Sequence, residues 1–233
     1  MQFKTFLLNL FQDTFQRVEK LGNHKINTHG VWKSDYLLKN EKIFQMLSNK
    51  LDVYSETTKE TFVVLPHKNY FEEWKNLKKI LLENKNLLNT LNSFFGGRDW
   101  KVGPPSVWRL KPLMQKPDRQ NRADGARFWH LDNIRHDYLK LFINLMDIND
   151  KHGPFRAIPA NESKKIISIH KTKDRYDLKD KEFEAIKATG LMGTSTFCTT
   201  SRCLHRGGFQ TEGLHRDMIQ VHFVLKKPIL GIL

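Results

Sequence analysis

Two short polar motifs, far apart along the chain, place the strongest constraint on how it can fold. His130 and Asp132 are separated by one residue, and a second histidine, His205, lies in the distant stretch 201–208. Residues i and i+2 of a strand project to the same side, so both side chains of the first motif can reach one metal ion. Two imidazoles and one carboxylate on one face of an octahedron leave three adjacent positions open, which suits Fe(II). The spacing therefore predicts a metal site, and this site requires the strand of His205 to fold back beside the first motif.

An arginine follows the second motif at a distance that fits a strand, a turn and a returning strand. Arg216 lies eleven residues after His205, within the stretch 213–223. A planar guanidinium binds a carboxylate through two parallel hydrogen bonds and stays charged at any working pH. A carboxylate-binding site is one interpretation of Arg216, and a surface salt bridge is the other.

The order His-x-Asp, a long gap, a histidine and then an arginine resembles the Fe(II)/2-oxoglutarate-dependent oxygenases, specifically the phytanoyl-CoA dioxygenase-like family. The resemblance covers roughly residues 105 to 227, and the stretches 138–159 and 194–208 are similar to core strands of that family. The family usually follows the first of these stretches with Gly-Ser-His. This chain reads Ala-Asn-Glu-Ser at 160–163 instead, which leaves the role of that loop open.

The resemblance implies a set of ligands and a reaction. His130, Asp132 and His205 would hold Fe(II), and Arg216 would pair with the far carboxylate of the cosubstrate 2-oxoglutarate. The implied reaction uses O2 to hydroxylate an unactivated C–H bond and releases succinate and CO2. A carboxylate at position 132 leaves no vacancy for halide, which favours hydroxylation over halogenation.

Two other histidines compete with His205 for the distal ligand position. His222 lies six residues beyond Arg216, about 20 Å away along an extended strand, so we expect it to be a packed or surface histidine. His215 adjoins Arg216 and would face the opposite way in a strand. His205 is therefore the predicted ligand.

Asn144 and Lys140 lie on the same face of the strand that follows the first motif, and one face of that strand must line the pocket. Asn144 could hydrogen-bond the metal-side carboxylate of 2-oxoglutarate. A solvent-facing strand position is the equal alternative for this residue.

Composition narrows the class of protein and the kind of partner. A chain of 233 residues with 39% hydrophobic content can bury one sizeable core, and the absence of an eighteen-residue apolar run predicts no membrane span. The net charge of +14 is scattered among acidic residues. This positive charge favours a small, anionic substrate, and its scattered distribution does not predict nucleic-acid binding. The alternative explanation of the charge is a lysine-rich surface that contacts only solvent. Two cysteines without an expected disulfide suit a reducing cytoplasm, which also keeps iron as Fe(II).

The pattern of apolar residues changes from helical to strand-like near residue 100. We predict one domain, 1–233, that is mainly β with N-terminal helices: a double-stranded β-helix, or cupin-like jelly-roll barrel, at 101–233, buttressed by helices at 1–100. The predicted helices are 3–22, 39–50 and 69–95, and predicted strands include 106–110, 166–169 and 219–225. The polar stretches 111–127 and 164–190 are either lids over the barrel mouth or plain solvated loops.

Two other classes of function remain open. One is a catalytically silent, metal-binding jelly-roll that acts as a sensor or scaffold. The other is a cupin-type metalloenzyme that does not use 2-oxoglutarate. Arg216 argues against both, because neither needs an inward guanidinium. The sequence does not identify the substrate, a small-molecule or carrier-linked metabolite, or the oligomeric state.

Overall fold

Two antiparallel sheets and a layer of helices make up the protein in the computed structural model, which describes residues 25–38, 40–113, 126–132, 138–170 and 183–226. The helices are α1 (Lys25–His29), α2 (Glu41–Glu56), α3 (Phe71–Glu83), α4 (Lys85–Phe94) and α5 (Ala160–His170). The strands are β1 (Val31–Leu37), β2 (Phe62–Val64), β3 (Trp100–Val102), β4 (Ser106–Leu110), β5 (Tyr138–Asn144), β6 (Phe155–Ala157), β7 (Ile186–Lys187), β8 (Thr194–Cys198), β9 (His205–Gly207) and β10 (Arg216–Leu225). Short 3-10 turns lie at His67–Asn69 and Asp150–His152.

The large sheet has the order β1-β8-β5-β10-β4-β2, and β3 also pairs with β10. The small sheet has the order β7-β6-β9, and an isolated bridge between His130 and His205 adds the first motif beside β9. The described strands form two open sheets. The structure therefore establishes a mainly antiparallel β fold with helices, without a closed barrel.

One face of the large sheet packs against the helices. Side chains alternate along a strand, so β5 and β10 each present an apolar row to that side. The row joins helix residues in one core cluster that includes Leu139, Leu141, Ile143, Ile219, Val221, Phe223, Leu47, Leu77 and Leu91. Burying a side chain of this size contributes about 1.5–3 kcal/mol, so this face anchors the fold.

The other face of the large sheet is turned toward the small sheet and carries the polar residues. Across β5 and β10 the paired residues on this face are Lys140 with His222, Phe142 with Gln220, and Asn144 with Met218. Phe142 stacks on Phe155 of β6 with ring centroids 4.1 Å apart. We call this side of the large sheet the inner face.

The described helices agree only in part with the predicted ones. The helix predicted at 39–50 is α2, which runs on to Glu56, and the helix predicted at 69–95 is two helices. The break falls at Asn84, whose side chain caps α4 by accepting a hydrogen bond from the Leu87 N–H at 3.0 Å. The predicted helix 3–22 lies outside the described residues.

The strand predicted at 166–169 is wrong, because these residues belong to α5. Ile166 packs in a small cluster with Ile158 and Leu204, whereas Ile169 is exposed. Ala160, Ser163 and Ile166 are buried at three-residue intervals, which is the helical pattern, and a run of Ile and Ser does not by itself distinguish a helix turn from a strand. Of the predicted lid 164–190, the part 171–182 lies outside the described residues, as does 114–125 of the stretch 111–127.

The division into helices before residue 100 and a barrel after it is also too simple. β1 and β2 come from the first hundred residues and form the two ends of the large sheet. In the described part of the chain, no helix is long and apolar enough to cross a bilayer.

Candidate metal centre

Three predicted ligands meet where the segment 126–132 runs beside β9. The backbone N–H of His130 donates to the carbonyl of His205 at 3.0 Å, and the reverse hydrogen bond is 2.9 Å long. The Asp132 N–H donates to the Thr200 carbonyl at 2.9 Å. One potential ligand atom from each of His130, Asp132 and His205 lies within 4.8 Å of the others. The structure thus brings the three residues together, and their role as ligands stays a prediction.

The two imidazoles are oriented for metal binding by their own backbone. Nδ1 of His130 lies 2.7 Å from the carbonyl of Phe128, and Nδ1 of His205 lies 3.0 Å from that of Cys203. A carbonyl only accepts, so each Nδ1 carries a proton, and each Nε2 is the ring atom that can bind a metal. The Nε2 atoms lie 3.8 Å and 3.6 Å from the Asp132 carboxylate oxygens. Two nitrogens and one oxygen form a donor set that fits Fe(II).

Asp132 is ionised, as a metal ligand must be. Burial alone would raise the pKa of this carboxyl, but His205 and Lys140 outweigh burial and hold the pKa well below its usual range. Oδ2 of Asp132 accepts a hydrogen bond from Nζ of Lys140 at 2.6 Å. Burial and the Asp132 charge raise the pKa of the nearby Tyr138, so its phenol stays protonated.

Arg216 begins β10 and points from the inner face into the protein, where it is 1% exposed. Its guanidinium lies 5.2 Å from the ring centroid of Trp108, Nη1 donates to the carbonyl of Gly153, and Nε has no hydrogen-bond partner among the described residues. A Cβ on Gly207 would lie 3.0 Å from Nη2, so a glycine leaves room for the guanidinium.

The surroundings of Arg216 are positively charged. Burial, Arg127 and Arg156 lower the pKa of Arg216 to about 9, and no carboxylate among the described residues forms an ion pair with it. A buried guanidinium without a carboxylate partner among the described residues fits a carboxylate ligand. The alternative of a surface salt bridge does not fit its burial.

Asn144 is buried, but at the Arg216 end of the inner face. It pairs across the strands with Met218, its amide donates to the Ala188 carbonyl at 3.3 Å, and in the described part of the chain its side-chain oxygen has no hydrogen-bond partner. Its contact with the cosubstrate stays a proposal, and the solvent-facing alternative is wrong. Lys140, which shares its strand parity, is the residue that reaches Asp132.

The two competing histidines differ in position. Nε2 of His215 lies 3.7 Å from Oδ2 of Asp217, a neighbour of Arg216 that faces the other way. His222 is on the inner face, opposite Lys140 and 4.9 Å from the Tyr138 ring. It is not in the group of ligand atoms found among the described residues.

His205 follows a turn, so the stretch 194–208, which is similar to a core strand, is two separate strands. β8 ends at Cys198, and hydrogen bonds from the N–H groups of Arg202 and Cys203 to the Thr199 carbonyl form a turn. This turn carries the chain from the large sheet to the small sheet. Cys198 and Cys203 are both free and buried.

Comparison with known proteins gives a fold. No family model and no curated protein matches the chain, but solved structures do. AviO1 from Streptomyces viridochromogenes Tue57 is 13% identical, with a TM-score of 0.53 over 89% of this chain and 94% of its own. EctD from S. alaskensis with bound Fe is 14% identical, with a TM-score of 0.55 over 87% of this chain and 77% of its own.

A third similar structure is that of the epimerase SnoN in complex with Fe3+, alpha ketoglutarate and nogalamycin RO. It is 11% identical, with a TM-score of 0.54 over 95% of this chain and 93% of its own. SnoN is a non-haem, alpha ketoglutarate-dependent enzyme. At such identities the likeness shows the fold alone, and this chain has the fold of AviO1, EctD and SnoN.

Proposed function

We propose that the protein is an Fe(II)- and 2-oxoglutarate-dependent dioxygenase that hydroxylates a small-molecule or carrier-linked metabolite, with release of succinate and CO2. One observation carries the proposal. Two imidazoles and a carboxylate converge between the sheets, and a fully buried arginine without an acidic partner among the described residues shares the same inner face. A metal site and a carboxylate site side by side are what a chelating dicarboxylate requires.

The chain order supports a double-stranded β-helix. From β4 onward the chain alternates between sheets: β4 is in the large sheet, the first motif pairs with the small sheet, and β5 returns to the large one. β6 and β7 then lie in the small sheet, β8 in the large, β9 in the small and β10 in the large. This alternation supports a jelly-roll arrangement, and it brings β9 and β10 to the site from opposite sheets.

Each residue has a defined task in the proposed reaction. His130, Asp132 and His205 hold Fe(II), which when bound supplies the activation of O2 coupled to oxidation of 2-oxoglutarate. Arg216 fixes the far carboxylate of 2-oxoglutarate, with Trp108 covering the guanidinium face. Phe142 and Phe155 stack between the sheets and keep water away from this side of the site.

The test uses iron and cosubstrate without oxygen. Anaerobic addition of 2-oxoglutarate to the Fe(II) protein should give the weak visible band of a chelated keto acid. Arg216→Ala should keep iron but raise the 2-oxoglutarate dissociation constant roughly a hundredfold, since losing one partner of a buried charge pair costs about 3 kcal/mol or more. His130→Ala and Asp132→Ala should lose iron. Full-affinity iron binding in both ligand variants would overturn the assignment.

One observation favours the alternative of a catalytically silent scaffold. The Lys140 ammonium already neutralises Asp132 at 2.6 Å, as a protein without a metal would require. Under that alternative, neither Fe(II) nor 2-oxoglutarate binds, and the visible band does not form at any concentration.

A further inference from the structure

We infer that the inner-face residues Tyr138, Lys140, Gln220 and His222, here called the polar wall, bind the prime substrate, and that this substrate is a small molecule with one carboxylate close to the carbon that is oxidised. The inference rests on the proposed function, which assigns Arg216 to the cosubstrate. It adds the chemical class of the substrate and the group that recognises it.

The polar wall lies beside the metal residues and away from Arg216. Lys140 and His222 face each other across β5 and β10, and Gln220 is one pair nearer to Arg216. The Tyr138 ring lies 4.9 Å from that of His222. Arg216 begins β10, so six residues of extended strand, about 20 Å, separate its backbone from that of His222. The two cationic groups therefore lie toward different ends of the inner face.

Lys140 has hydrogen-bonding capacity that the described residues do not use. Its side chain is largely buried, and the residue is 7% exposed. Of its three N–H donors, one is directed to Oδ2 of Asp132, and the Tyr138 ring is the only other described contact, with its centroid 6.0 Å from Nζ. A buried ammonium with spare donors next to a metal centre is a binding point for an anion.

The charges of the loaded site leave Lys140 uncompensated. A divalent metal and Arg216 supply three positive charges, and Asp132 with the dianionic cosubstrate supplies three negative ones. These six charges cancel, so once Asp132 serves the metal they leave no negative charge to compensate Lys140. Burying an uncompensated charge is costly, and one substrate carboxylate removes this cost.

The distances set where the carboxylate lies relative to the reacting carbon. Lys140 contacts the same carboxylate that the metal would use, so an anion held by Nζ lies within a few bonds of the oxidised carbon. His222 provides a neutral hydrogen-bonding group, because burial and then Lys140 lower its pKa to about 4. Its Nε2 hydrogen-bonds Nε2 of Gln220, so Nδ1 of His222 and Oε1 of Gln220 are the atoms that suit a hydroxyl or amide on the same small molecule.

The experiment measures binding of matched probes near the metal. The 233-residue protein is loaded anaerobically with Mn(II) and saturating 2-oxoglutarate, so that the metal site and Arg216 are occupied. Small hydroxy and amino monocarboxylates are then compared with their primary amides through the paramagnetic broadening of their proton NMR signals. We expect at least one carboxylate to bind tenfold or more tightly than its amide.

Variants of Lys140 assign the preference. Lys140→Met should lose the preference for carboxylate over amide, Lys140→Arg should retain it, and Lys187→Met, at an exposed ion pair with Asp150, should not change it. The comparison of carboxylate with amide in the unaltered protein stands even if Lys140→Met does not fold. Equal binding of acids and amides, no binding of any acid, or an unchanged preference in Lys140→Met would overturn the inference.

The failure of the proposed function gives a different result. If the Fe(II) protein forms no visible band with 2-oxoglutarate, both the proposed function and this inference fall. If the band forms but acids and amides bind alike, only the inference falls.

Discussion

At the scale of single residues, Gly153 provides the backbone carbonyl that Arg216 contacts. Its carbonyl accepts a hydrogen bond from Arg216, its φ is +59°, and a Cβ there would lie 2.7 Å from the Gly208 carbonyl oxygen. A side chain at this position is strained by its backbone conformation and by contact with backbone that cannot move aside. Gly153 therefore fixes the place of the Arg216 guanidinium.

Gly153→Ala should destabilise the protein by about 2 kcal/mol and weaken 2-oxoglutarate binding at least tenfold, as measured by urea unfolding and cosubstrate titration. Gly213→Ala is the matched control. Gly213 has a φ of +76° but no atom within 4 Å of the added Cβ, so only the conformational strain of about 1 kcal/mol applies. Equal losses in the two variants would show that the close approach at Gly153 has no effect.

The histidines give a second prediction at this scale. His205→Ala should abolish iron binding, because Nε2 of His205 faces Asp132 at 3.6 Å. His215→Ala should keep both iron and the 2-oxoglutarate band, since His215 lies on the side of Asp217. His222→Ala should keep iron. The measurement is anaerobic iron titration, and loss of iron from His222→Ala with retention in His205→Ala would reverse the assignment.

The sequence predicted the three converging ligands but not their neighbour Lys140. In extended backbone, residues two apart point to the same side, so the spacing of His130 and Asp132 predicts directly that their side chains lie close together. The contact of Lys140 with Asp132 depends instead on how the chain returns after the motif to begin β5. Nothing in the local pattern encodes that distance, so only the strand parity shared with Asn144 hinted at an inward Lys140.

At the scale of elements, a buried ion pair joins β4 to β10 immediately beside the site. Nε and Nη2 of Arg109 each donate to a carboxylate oxygen of Asp217 at 2.7 Å. Burial would lower the pKa of Arg109, but Asp217 and then Asp52 outweigh burial and raise it. Asp217 is 1% exposed and directly follows Arg216.

Asp217→Asn should cost about 3–5 kcal/mol of unfolding free energy, because it leaves a buried guanidinium without its main partner. It should also weaken 2-oxoglutarate binding by shifting the start of β10. Asp52→Asn is the control, since the Asp52 side chain is 56% exposed although it too contacts Arg109, at 2.6 Å. We expect a cost of less than about 1 kcal/mol there. Chemical denaturation measures both, and a similar small cost in the two variants would contradict a structural role for the pair.

The prediction of helices and strands succeeded where apolar residues repeat over a long stretch, and it failed where a strand pairs with a strand far away in the sequence. The apolar repeat of 69–95 correctly indicated helix, but the Asn84 cap that divides it depends on one hydrogen bond to Leu87. β1 was missed because it is a strand through its pairing with β8, more than 150 residues later. Such non-local pairing leaves little trace in the sequence of either strand.

At the scale of the whole molecule, the site lies between the two sheets, and each sheet supplies some of its residues. Helices α2 to α4 cover one face of the large sheet, and the small sheet covers the other. A metal bound by His130 and His205 from the small-sheet side, and a cosubstrate bound by Arg216 from β10, would connect the two sheets. Occupancy of the site should therefore stabilise the entire fold.

Ligand-linked stability tests this connection. A ligand that binds only the folded state at 100 times its dissociation constant adds about 2.7 kcal/mol. For a chain of this length each kcal/mol raises the melting temperature by about 2–4 °C. Mn(II) should therefore raise it by about 5–10 °C, and 2-oxoglutarate should add a further increase only when Mn(II) is present, because chelation requires the metal. Asp132→Ala should respond to neither ligand, and Arg216→Ala should respond to Mn(II) alone. A full response of Arg216→Ala to 2-oxoglutarate would show that β10 does not hold the cosubstrate and that the sheets are not joined through it.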